Sequence, residues 1–468
     1  MMTNTSTPQH TSLALSSIRR LHFIGIGGAG MSGIALVLHR RGYAVTGSDL
    51  KPSRYVALLE EAGVRVNLGH DAANLDHPDV VVISSAIPEH NQEIREAHRR
   101  GLPVVKRAQA LAWLMEGRRG IAVCGTHGKT TTTSMITRVL VDADREPTFL
   151  VGGELNDFGA NAGHGSGEFL VCEADESDGS LLLLSPEVAT VTNLELDHHS
   201  HYLHVEDVAE VFREFVGRLP SDGQFVFWGG DPRLRALSRN APCATVSYGL
   251  APDDDYQARE IVFRRGGSGF EVWRRGQRLT SVELVIPGEH NVLNALACVA
   301  TLVELGVSSG VVAKSLGGFT GASRRFQWKG ERAGVTVVDD YAHHPTELRA
   351  TLRAARTGEW GRVVAIFQPH LYSRTRYLQR EFAEALLEAD VCVVTDVYGA
   401  REDPEPGITG KLIVDSLLRL DGRRPAVYLP RLAAVVEYLV ATVRPGDLVL
   451  TMGAGDVHRV GERFLEHP

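Results

Sequence analysis

Short apolar runs alternate with helix-length segments along most of the chain, and this rhythm predicts its secondary structure. Apolar residues at helical spacing predict one helix that ends near Arg41 and two more at 92–100 and 108–115. The intervening apolar runs, which predict strands, lie at 21–26, 44–49, 64–68, 80–85 and 103–106. This alternation predicts a parallel sheet with helices on both faces, ending near residue 118. Ligands bind at the carboxyl ends of the strands in such sheets.

The remaining chain predicts two further domains. An apolar run at 121–124 opens a second α/β region, whereas residues 256–285 alternate apolar and polar positions, which favours an antiparallel meander. A strongly apolar helix follows at 292–305. Further strands are predicted at 335–339, 362–367, 391–395, 425–429 and 447–452. We therefore expect an α/β protein with a disordered leader (1–18) and domains at 19–118, 119–323 and 324–468.

Composition narrows the function classes. The 468 residues are 43% hydrophobic with a formal net charge of -8, which suits several globular domains and disfavours non-specific binding to nucleic acid or membranes. The five cysteines show no paired spacing, so we expect a reducing, cytoplasmic environment.

The most informative stretch is GTHGKTTTT at 125–133, which lies between a predicted strand and a predicted helix. Backbone N–H groups of such a turn bind phosphate, a lysine reaches further phosphate oxygens, and the next hydroxyl can ligate Mg²⁺. Lys129 is the only lysine between Lys106 and Lys314 in a chain that otherwise prefers arginine. The glycines are closer together than in the usual phosphate loop, so an ordinary glycine-rich turn is the alternative.

A second glycine-rich turn follows the first strand. Gly25, Gly27 and Gly30 match GxGxxG, and Asp49 ends the next strand, where dinucleotide-binding folds place an acid that binds ribose. A tight turn without a ligand is the alternative. Further polar residues at strand ends of this domain are His70, Ser84, Ser85 and Arg107.

Two apolar strands of the central region end in residues that can bind a metal. Glu173 and His198 follow these strands, and the carboxyl ends of parallel strands meet beside the phosphate loop, so both are candidate ligands of a nucleotide-bound Mg²⁺. A structural salt bridge is the alternative for Glu173. A zinc site at the later histidines is disfavoured because no cysteine is nearby.

Polar clusters also mark the C-terminal half. Asn291 and Asn294 begin the apolar helix, where a side-chain amide can bind a purine edge, although Asn291 is equally explained as a helix cap. Polar residues follow the later strands at 339–345, 368–376, 396–398 and 453–456. Their concentration at strand ends favours an active site between domains.

Together these motifs resemble the Mur ligase family over nearly the whole chain from Leu21. The shared motifs are GTHGKTTTT (125–133), EADESD (173–178), TNLELDH (192–198), HNVLNA (290–295) and DDYAHHP (339–345). Three more, at 25–33, 367–370 and 451–456, resemble the branch that adds the first amino acid.

The resemblance implies a UDP-sugar-binding domain, an ATP-binding domain and an amino-acid-binding domain. It implies that the lactyl carboxylate of UDP-N-acetylmuramate attacks the γ-phosphate of ATP, and that L-alanine then attacks the acyl phosphate, a cytoplasmic step of peptidoglycan precursor synthesis. ATP and Mg²⁺ are the implied cofactors. We expect these small molecules as partners, neither nucleic acid nor membrane, and a monomer or weak homodimer.

The resemblance also assigns site residues by position. The ATP set is Gly125, Thr126, His127, Gly128, Lys129, Thr130, Thr131, Asn291, Asn294, Arg325 and Asp340, and the metal set is Thr130, Glu173 and His198. The UDP-sugar set is Gly27, Gly28, Ala29, Gly30, Met31, Ser32, Asp49 and His70, to which we add Ser84, Ser85 and Arg107 because they lie at predicted strand ends. The candidates for the amino acid are Tyr341, His343 and Arg374, and His370 is a further candidate for substrate binding. Lys129, Glu173, His198, Arg325, His343 as the base, and Arg374 are the expected catalytic residues.

Two departures and three alternatives remain. Other branches of the family use a carbamylated lysine after the Asp-His motif, which is excluded here because no lysine lies between Lys129 and Lys314. Leu371 stands where some relatives have arginine. A ligase of the same family with a different acceptor is the nearest alternative. An NAD-dependent oxidoreductase leaves the Lys129 loop without a role, and a nucleotide-driven switch leaves the first glycine motif without one.

Overall fold

The computed structural model describes residues 13–84, 86–177, 179–197, 202, 204–400 and 402–467. Within them the strands are β1 (Arg20–Ile24), β2 (Ala44–Asp49), β3 (Arg65–Leu68), β4 (Val80–Ile83), β5 (Val104–Lys106), β6 (Arg119–Cys124), β7 (Thr148–Leu155), β8 (Ala160–Gly163), β9 (Phe169–Glu173), β10 (Val188–Val191), β11 (Gln224–Trp228), β12 (Ala244–Gly249), β13 (Tyr256–Arg264), β14 (Gly267–Arg274), β15 (Gln277–Leu284), β16 (Gln327–Arg332), β17 (Val335–Asp340), β18 (Val363–Phe367), β19 (Val391–Val394), β20 (Ala426–Tyr428) and β21 (Leu448–Met452).

The helices of the same residues are α1 (Ala29–Arg40), α2 (Arg54–Glu61), α3 (Gln92–Arg99), α4 (Arg107–Met115), α5 (Lys129–Asp142), α6 (Val205–Gly217), α7 (Pro232–Ser238), α8 (Glu289–Glu304), α9 (Ser309–Gly317), α10 (Pro345–Arg356), α11 (Tyr372–Leu386), α12 (Lys411–Leu420), α13 (Leu432–Thr442) and α14 (His458–Glu466). None of these helices combines the length and the apolar composition needed to cross a bilayer.

The N-terminal unit, formed by residues 1–118 with 162–164, contains a parallel sheet in the order β3-β2-β1-β4-β5. Ile24 of β1 lies beside Ser48 of β2 on one side and Ile83 of β4 on the other. The chain runs outwards from β1 to β3 and then returns to β4, so the strand order reverses at β1. Such a reversal leaves a crevice at the carboxyl ends of the two strands. The predicted Rossmann-like parallel sheet is confirmed.

The prediction of a disordered leader through residue 18 is wrong for residues 13–18. Leu15 is 7% exposed and Ile18 is 1% exposed. The carbonyl of Leu13 accepts a 3.0 Å hydrogen bond from Nε1 of Trp113. The polar composition of the first residues obscured these two apolar side chains, which the fold buries. Residues 1–12 lie outside the described residues.

The second unit contains the other two sheets, except for residues 162 and 163 of β8. The central sheet has the order β15-β14-β13-β12-β11-β10-β6-β9-β7-β8. Strand β6 pairs in parallel with β10 and with β9, which brings Cys124 beside Val191 and Val123 beside Glu173. The loop after β6 therefore begins between the carboxyl ends of its two neighbours.

The predicted antiparallel meander is confirmed and extends this same sheet. Strand β13 joins β12 in parallel, and β14 and β15 follow with antiparallel pairing. Helices α5 and α8 contribute Met135, Ile136, Leu296 and Val299 to one continuous apolar core. This core packs α5, which follows the glycine-rich turn at 125–128, against α8, which carries Asn291 and Asn294.

The C-terminal sheet has the order β16-β17-β21-β18-β19-β20. All neighbouring strands are parallel except β16, which runs antiparallel to β17. Strand β16 was not predicted, since its largely polar residues resemble a loop. Along β18, Ala365 and Phe367 belong to one apolar core, and Val364 and Ile366 belong to another. Successive side chains of a strand point to opposite faces, so helices cover both faces of this sheet.

The chain passes from the central to the C-terminal domain through residues 318–326. Arg324 has φ 61° and Phe326 has φ 47°, so two non-glycine residues with left-handed backbone conformations flank Arg325. The Arg324 guanidinium donates to Oδ2 of Asp339 at 2.9 Å and to the carbonyl of Gly453 at 2.6 Å. The junction is thereby attached to the edge of the C-terminal sheet.

Candidate active site

The first glycine-rich turn lies at the reversal of strand order in the N-terminal unit. Gly25 has φ 77°, and α1 begins at Ala29 without a side-chain cap on its first backbone N–H groups. Met31 and Ser32 are buried in the first turn of α1. The uncapped N–H groups at this helix end favour an anion.

Arg107 and Asp49 contact this turn from two sides. A Cβ atom at Gly30 would lie 2.6 Å from Nη1 of Arg107, so the guanidinium lies against the start of α1. Oδ2 of Asp49 accepts from the N–H of Gly27 at 2.9 Å. Asp49 therefore shapes the turn, a role beyond the expected contact with ribose.

The other predicted residues of this unit lie at neighbouring strand ends. The Oγ atom of Ser84 lies 3.6 Å from the Cβ position of Gly25. Nδ1 of His70 lies 2.9 Å from Oγ of Ser48, which donates to Oε2 of Glu93 at 2.6 Å. Ser85 lies outside the described residues.

Glu93 is a buried acid that the sequence did not reveal. It also accepts from Nδ2 of Asn74 at 2.6 Å and from the N–H of Asp71 at 3.2 Å. Burial works against ionisation, yet hydrogen bonds, with His22 foremost, lower the pKa of Glu93. A charged Glu93 fixes Ser48, and Ser48 in turn orients His70.

The second glycine-rich turn connects β6 to α5. A Cβ atom at Gly125 would collide with Oγ1 of Thr192, and one at Gly128 would lie 2.5 Å from Oδ1 of Asn294. The N–H of His127 donates to Oδ1 of Asn193 at 2.8 Å, and Nδ2 of Asn193 donates back to the His127 carbonyl at 2.9 Å. Only glycine allows these close contacts, and they explain the glycine spacing.

Lys129, the first residue of α5, folds back over this turn. Its Nζ atom donates to the carbonyls of Gly125 at 2.6 Å and Thr126 at 3.2 Å. It also lies 3.0 Å from both carboxylate oxygens of Glu176. Burial opposes the charge, but Glu176 and Asp175 raise the pKa of Lys129, so the ammonium is charged.

Glu173 and Thr130 lie together next to the turn. Oε1 of Glu173 accepts from the N–H of Gly152 at 2.5 Å, and Thr130 also hydrogen-bonds to this carboxylate. Burial raises the pKa of Glu173. A carboxylate and a hydroxyl are hard oxygen donors, which fit Mg²⁺. The third predicted ligand, His198, lies outside the described residues.

A cavity of about 180 Å³ adjoins the turn and is lined by both domains of the second unit. Its predicted lining residues are His127, Gly128, Thr131, Asn291, Asn294, Arg325 and Asp340. The structure thus brings the proposed ATP residues from 127–131, 291–294 and 325–340 to one place.

Asn291 and Asp340 are among the lining residues that already have protein partners. Nδ2 of Asn291 donates to the carbonyl of Pro287 at 2.7 Å, while the cap of α8 is Gly288, so the helix-cap alternative for Asn291 is excluded. Asp340 accepts from the N–H groups of Phe326 at 2.7 Å and Ala342 at 2.8 Å. Burial raises the pKa of Asp340 to about 6.

His127 links the phosphate loop to α10. Its Nδ1 atom lies 3.1 Å from Oε1 of Glu347, and its Nε2 atom lies 3.5 Å from Oε2 of Glu195. Burial would lower the pKa of His127, but the two carboxylates, Glu347 foremost, raise it to about 9. The imidazolium therefore bridges two acids that sequence reasoning did not assign.

Arg325 lies at the junction beside the same acid. Its guanidinium carbon lies 5.2 Å from the ring centre of Tyr341, and Nη1 lies 3.9 Å from Oε1 of Glu347. A cation at this wall of the cavity suits a phosphate ligand.

The predicted amino-acid residues also come together. The ring centres of Tyr341 and His343 are 5.3 Å apart, and those of His343 and His370 are 5.8 Å apart. The ring of Tyr398, which was not assigned, stacks on His370 at 6.1 Å. Nδ1 of His370 lies 3.1 Å from Nη1 of Arg374. These contacts bring the four rings and Arg374 into one cluster.

Arg374 has an additional partner that the sequence did not predict. It donates to Asp197, and both side chains are about 95% buried, at 4% and 5% exposed. A carboxylate ligand would have to share Arg374 with Asp197.

Three family profiles match the chain in order. They are "Mur ligase family, catalytic domain" over residues 20–119, "Mur ligase middle domain" over 123–302, and "Mur ligase, glutamate ligase domain" over 324–455.

Individual relatives agree with the profiles. A UDP-N-acetylmuramate–L-alanine ligase of Rubrobacter xylanophilus is 50% identical over 448 residues, which cover 95% of this chain and 99% of the relative. The crystal structure of a UDP-N-acetylmuramate–alanine ligase from Thermotoga maritima matches with a TM-score of 0.81 and 32% identity, over 96% of this chain and 98% of that one. A murein peptide ligase from Psychrobacter arcticus matches over the same shares, with a TM-score of 0.71 and 26% identity.

The matches cover every domain whose site residues have been described. The chain belongs to the Mur ligase family.

Proposed function

We propose that this chain joins L-alanine to the lactyl carboxylate of UDP-N-acetylmuramate and converts ATP to ADP and phosphate. The cavity lined by the 125–128 turn and the C-terminal domain carries the proposal, because residues proposed for ATP from both domains line it together. The identities of the two substrates rest on the names of the Rubrobacter and Thermotoga relatives.

The reaction has two steps. A carboxylate oxygen attacks the γ-phosphorus of ATP, and the bond to the bridging oxygen breaks, so that ADP leaves with the electron pair. The alanine nitrogen then attacks the carbonyl carbon of the acyl phosphate. The carbon–oxygen bond to phosphate breaks, phosphate leaves, and the nitrogen loses a proton.

Positive charge around the phosphates is the main contribution of the protein to the first step. Lys129 lies over the loop and Arg325 lines the adjoining cavity, so both can stabilise negative charge on the transferred group. Thr130, Glu173 and His198 are the proposed ligands of Mg²⁺, which when bound neutralises phosphate charge.

His343 is the proposed base of the second step. Its Nδ1 atom lies 3.0 Å from the Tyr341 carbonyl, an acceptor, so Nδ1 carries the hydrogen and Nε2 has the free lone pair. Burial lowers the pKa of His343, so the ring is neutral at pH 7 and can accept a proton.

The remaining roles concern substrate binding. The first glycine turn with Arg107 is the proposed diphosphate site, and His70, held through Ser48, binds the uridine portion. Tyr341 and His370 enclose the amino acid, while Arg374 binds its carboxylate. We place the protein in the reducing cytoplasm, in keeping with its five cysteines, none of which forms a disulfide. Its state as a monomer or weak homodimer stays a prediction.

Phosphate release from ATP tests the proposal. The purified protein is incubated with Mg²⁺ and UDP-N-acetylmuramate, and L-alanine, glycine, L-serine, D-glutamate or a murein tripeptide is added singly. We expect release that requires both the UDP-sugar and L-alanine and that is lost in Lys129→Ala. Preference for D-glutamate or the peptide would assign another Mur-type activity, and no release with any acceptor would refute ligation.

A further inference from the structure

The ammonium group of Lys129 has no hydrogen left for a nucleotide. It carries three N–H donors, and four protein oxygens lie within 3.2 Å of Nζ: the Gly125 and Thr126 carbonyls and both carboxylate oxygens of Glu176. The two carbonyls belong to the loop itself. Glu176 is the one charged member of this set, and it follows β9 rather than the loop.

Glu176 is held in place with little freedom. Its side chain is 2% exposed. The hydroxyl of Tyr202 donates to its backbone carbonyl at 2.6 Å, and the N–H of Gly179 donates to the same carbonyl at 3.2 Å. A buried carboxylate is costly unless it is paired, and Lys129 supplies that pairing.

We propose that Glu176 is an internal anion that competes with the nucleotide phosphates for Lys129. In the nucleotide-free loop it holds the ammonium, and ATP must displace it to bind Lys129. After phosphoryl transfer, the return of Glu176 to Lys129 favours the release of ADP. Glu176 is thus a positioning residue that acts through Lys129, and this inference rests on the proposed binding of ATP at the loop.

A purely structural salt bridge predicts a different result from a competing one. If Glu176 only supports the fold, its removal lowers stability equally with and without nucleotide, and affinity stays the same. If Glu176 competes, its removal frees Lys129 for phosphate and tightens binding. A hydrogen bond to a charged group contributes enough for a change of about tenfold or more.

The test compares Glu176→Gln with wild type by calorimetric titration of ADP and ATP in EDTA, so that metal binding does not contribute. We expect the dissociation constants of both nucleotides to fall by roughly tenfold, and a fluorescent ADP analogue to dissociate correspondingly more slowly. The melting temperature without nucleotide should fall, while the rise on adding ADP should exceed that of wild type. Equal or weaker nucleotide binding in the folded variant would overturn the proposal.

Asp175→Asn is the matched control. Asp175 is also a carboxylate near Lys129, but its Oδ1 atom accepts from the N–H of Ser177 at 3.0 Å. Asp175→Asn removes a nearby negative charge but keeps the ion pair between Glu176 and Lys129, so it should change the nucleotide affinity much less. An equal gain in affinity in both variants would refute specific competition by Glu176. Glu176→Asp, which shortens the side chain, provides an intermediate case if Glu176→Gln does not fold. If wild-type protein bound neither nucleotide, the proposed function would fail instead.

Discussion

Nε and Nη2 of Arg374 donate to a single oxygen, Oδ1 of Asp197, at 2.9 and 2.6 Å. The pair joins α11 of the C-terminal domain to the segment after β10 of the central domain. Asp197 directly precedes His198, the proposed metal ligand. The ion pair therefore connects the proposed amino-acid site to the chain segment that leads to the metal site.

Removing Arg374 should destabilise the second unit markedly. Arg374→Met leaves the carboxylate of Asp197 buried without its cation, which typically costs about 3 to 5 kcal/mol. Urea unfolding measures this loss. The double variant with Asp197→Asn should lose less than the sum of the single variants. Arg376→Ala is the control, since its ion pair with Glu405 is solvent-exposed and should contribute less than about 1 kcal/mol. Equal effects of Arg374→Met and Arg376→Ala would contradict the prediction.

Glu173→Gln should raise the Mg²⁺ concentration needed for half-maximal activity, because an amide oxygen is a weaker ligand for a hard cation than a carboxylate. A Mg²⁺ titration at saturating substrates measures the change, and excess Mg²⁺ should restore part of the activity. Glu168→Gln is the matched control: Glu168 precedes the same strand at its opposite end and is solvent-exposed. An unchanged Mg²⁺ requirement in Glu173→Gln would remove Glu173 from the metal set.

We expect the free energy of unfolding to decrease at alkaline pH, where His127 loses its proton. Its folded pKa is raised to about 9 from an ordinary value of 6.5, so its contribution is fully present below pH 6.5 and is lost as the pH rises through about 9. A shift of this size corresponds to roughly 3 kcal/mol. Urea midpoints measured from pH 6 to 10 should fall less in His127→Gln than in wild type. His98→Gln, at an exposed position of α3, should keep the wild-type slope. A wild-type slope in His127→Gln would show that its ion pairs do not stabilise the fold.

Gly27→Ala should lower the melting temperature more than Gly28→Ala. A Cβ atom at Gly27 would lie 2.9 Å from Oδ2 of Asp49 and 2.9 Å from Cγ2 of Val56, whereas the nearest atom to one at Gly28 is 3.6 Å away. Overpacking of this kind typically costs about 1 to 3 kcal/mol. Thermal unfolding of both variants provides the comparison, and equal melting temperatures would show that the turn adjusts freely.

The sequence predicted those parts of the site whose signals are local. The Lys129 loop is recognisable because glycine, lysine and hydroxyl positions lie within a few residues between a strand and a helix. Glu93 was missed because it contacts Ser48, 45 residues away, and resembles an ordinary acid near the start of a surface helix. Glu347 was missed for a similar reason: glutamate is common in the first turn of a helix, and here it also caps α10. Only the folded chain shows that the same carboxylate contacts His127.

Arg324 and Phe326 have a consequence for how the domain junction responds to a ligand. A side chain with a left-handed backbone conformation is held at a cost of about 1 to 3 kcal/mol, which its contacts must offset. Arg325 lies between these two residues, so the cation proposed to bind the γ-phosphate is held by strained backbone on both sides. Rotation of either neighbour towards an ordinary conformation releases energy. The contacts of Arg324 with Asp339 and Gly453 offset part of this cost and keep the backbone around Arg325 in its observed conformation.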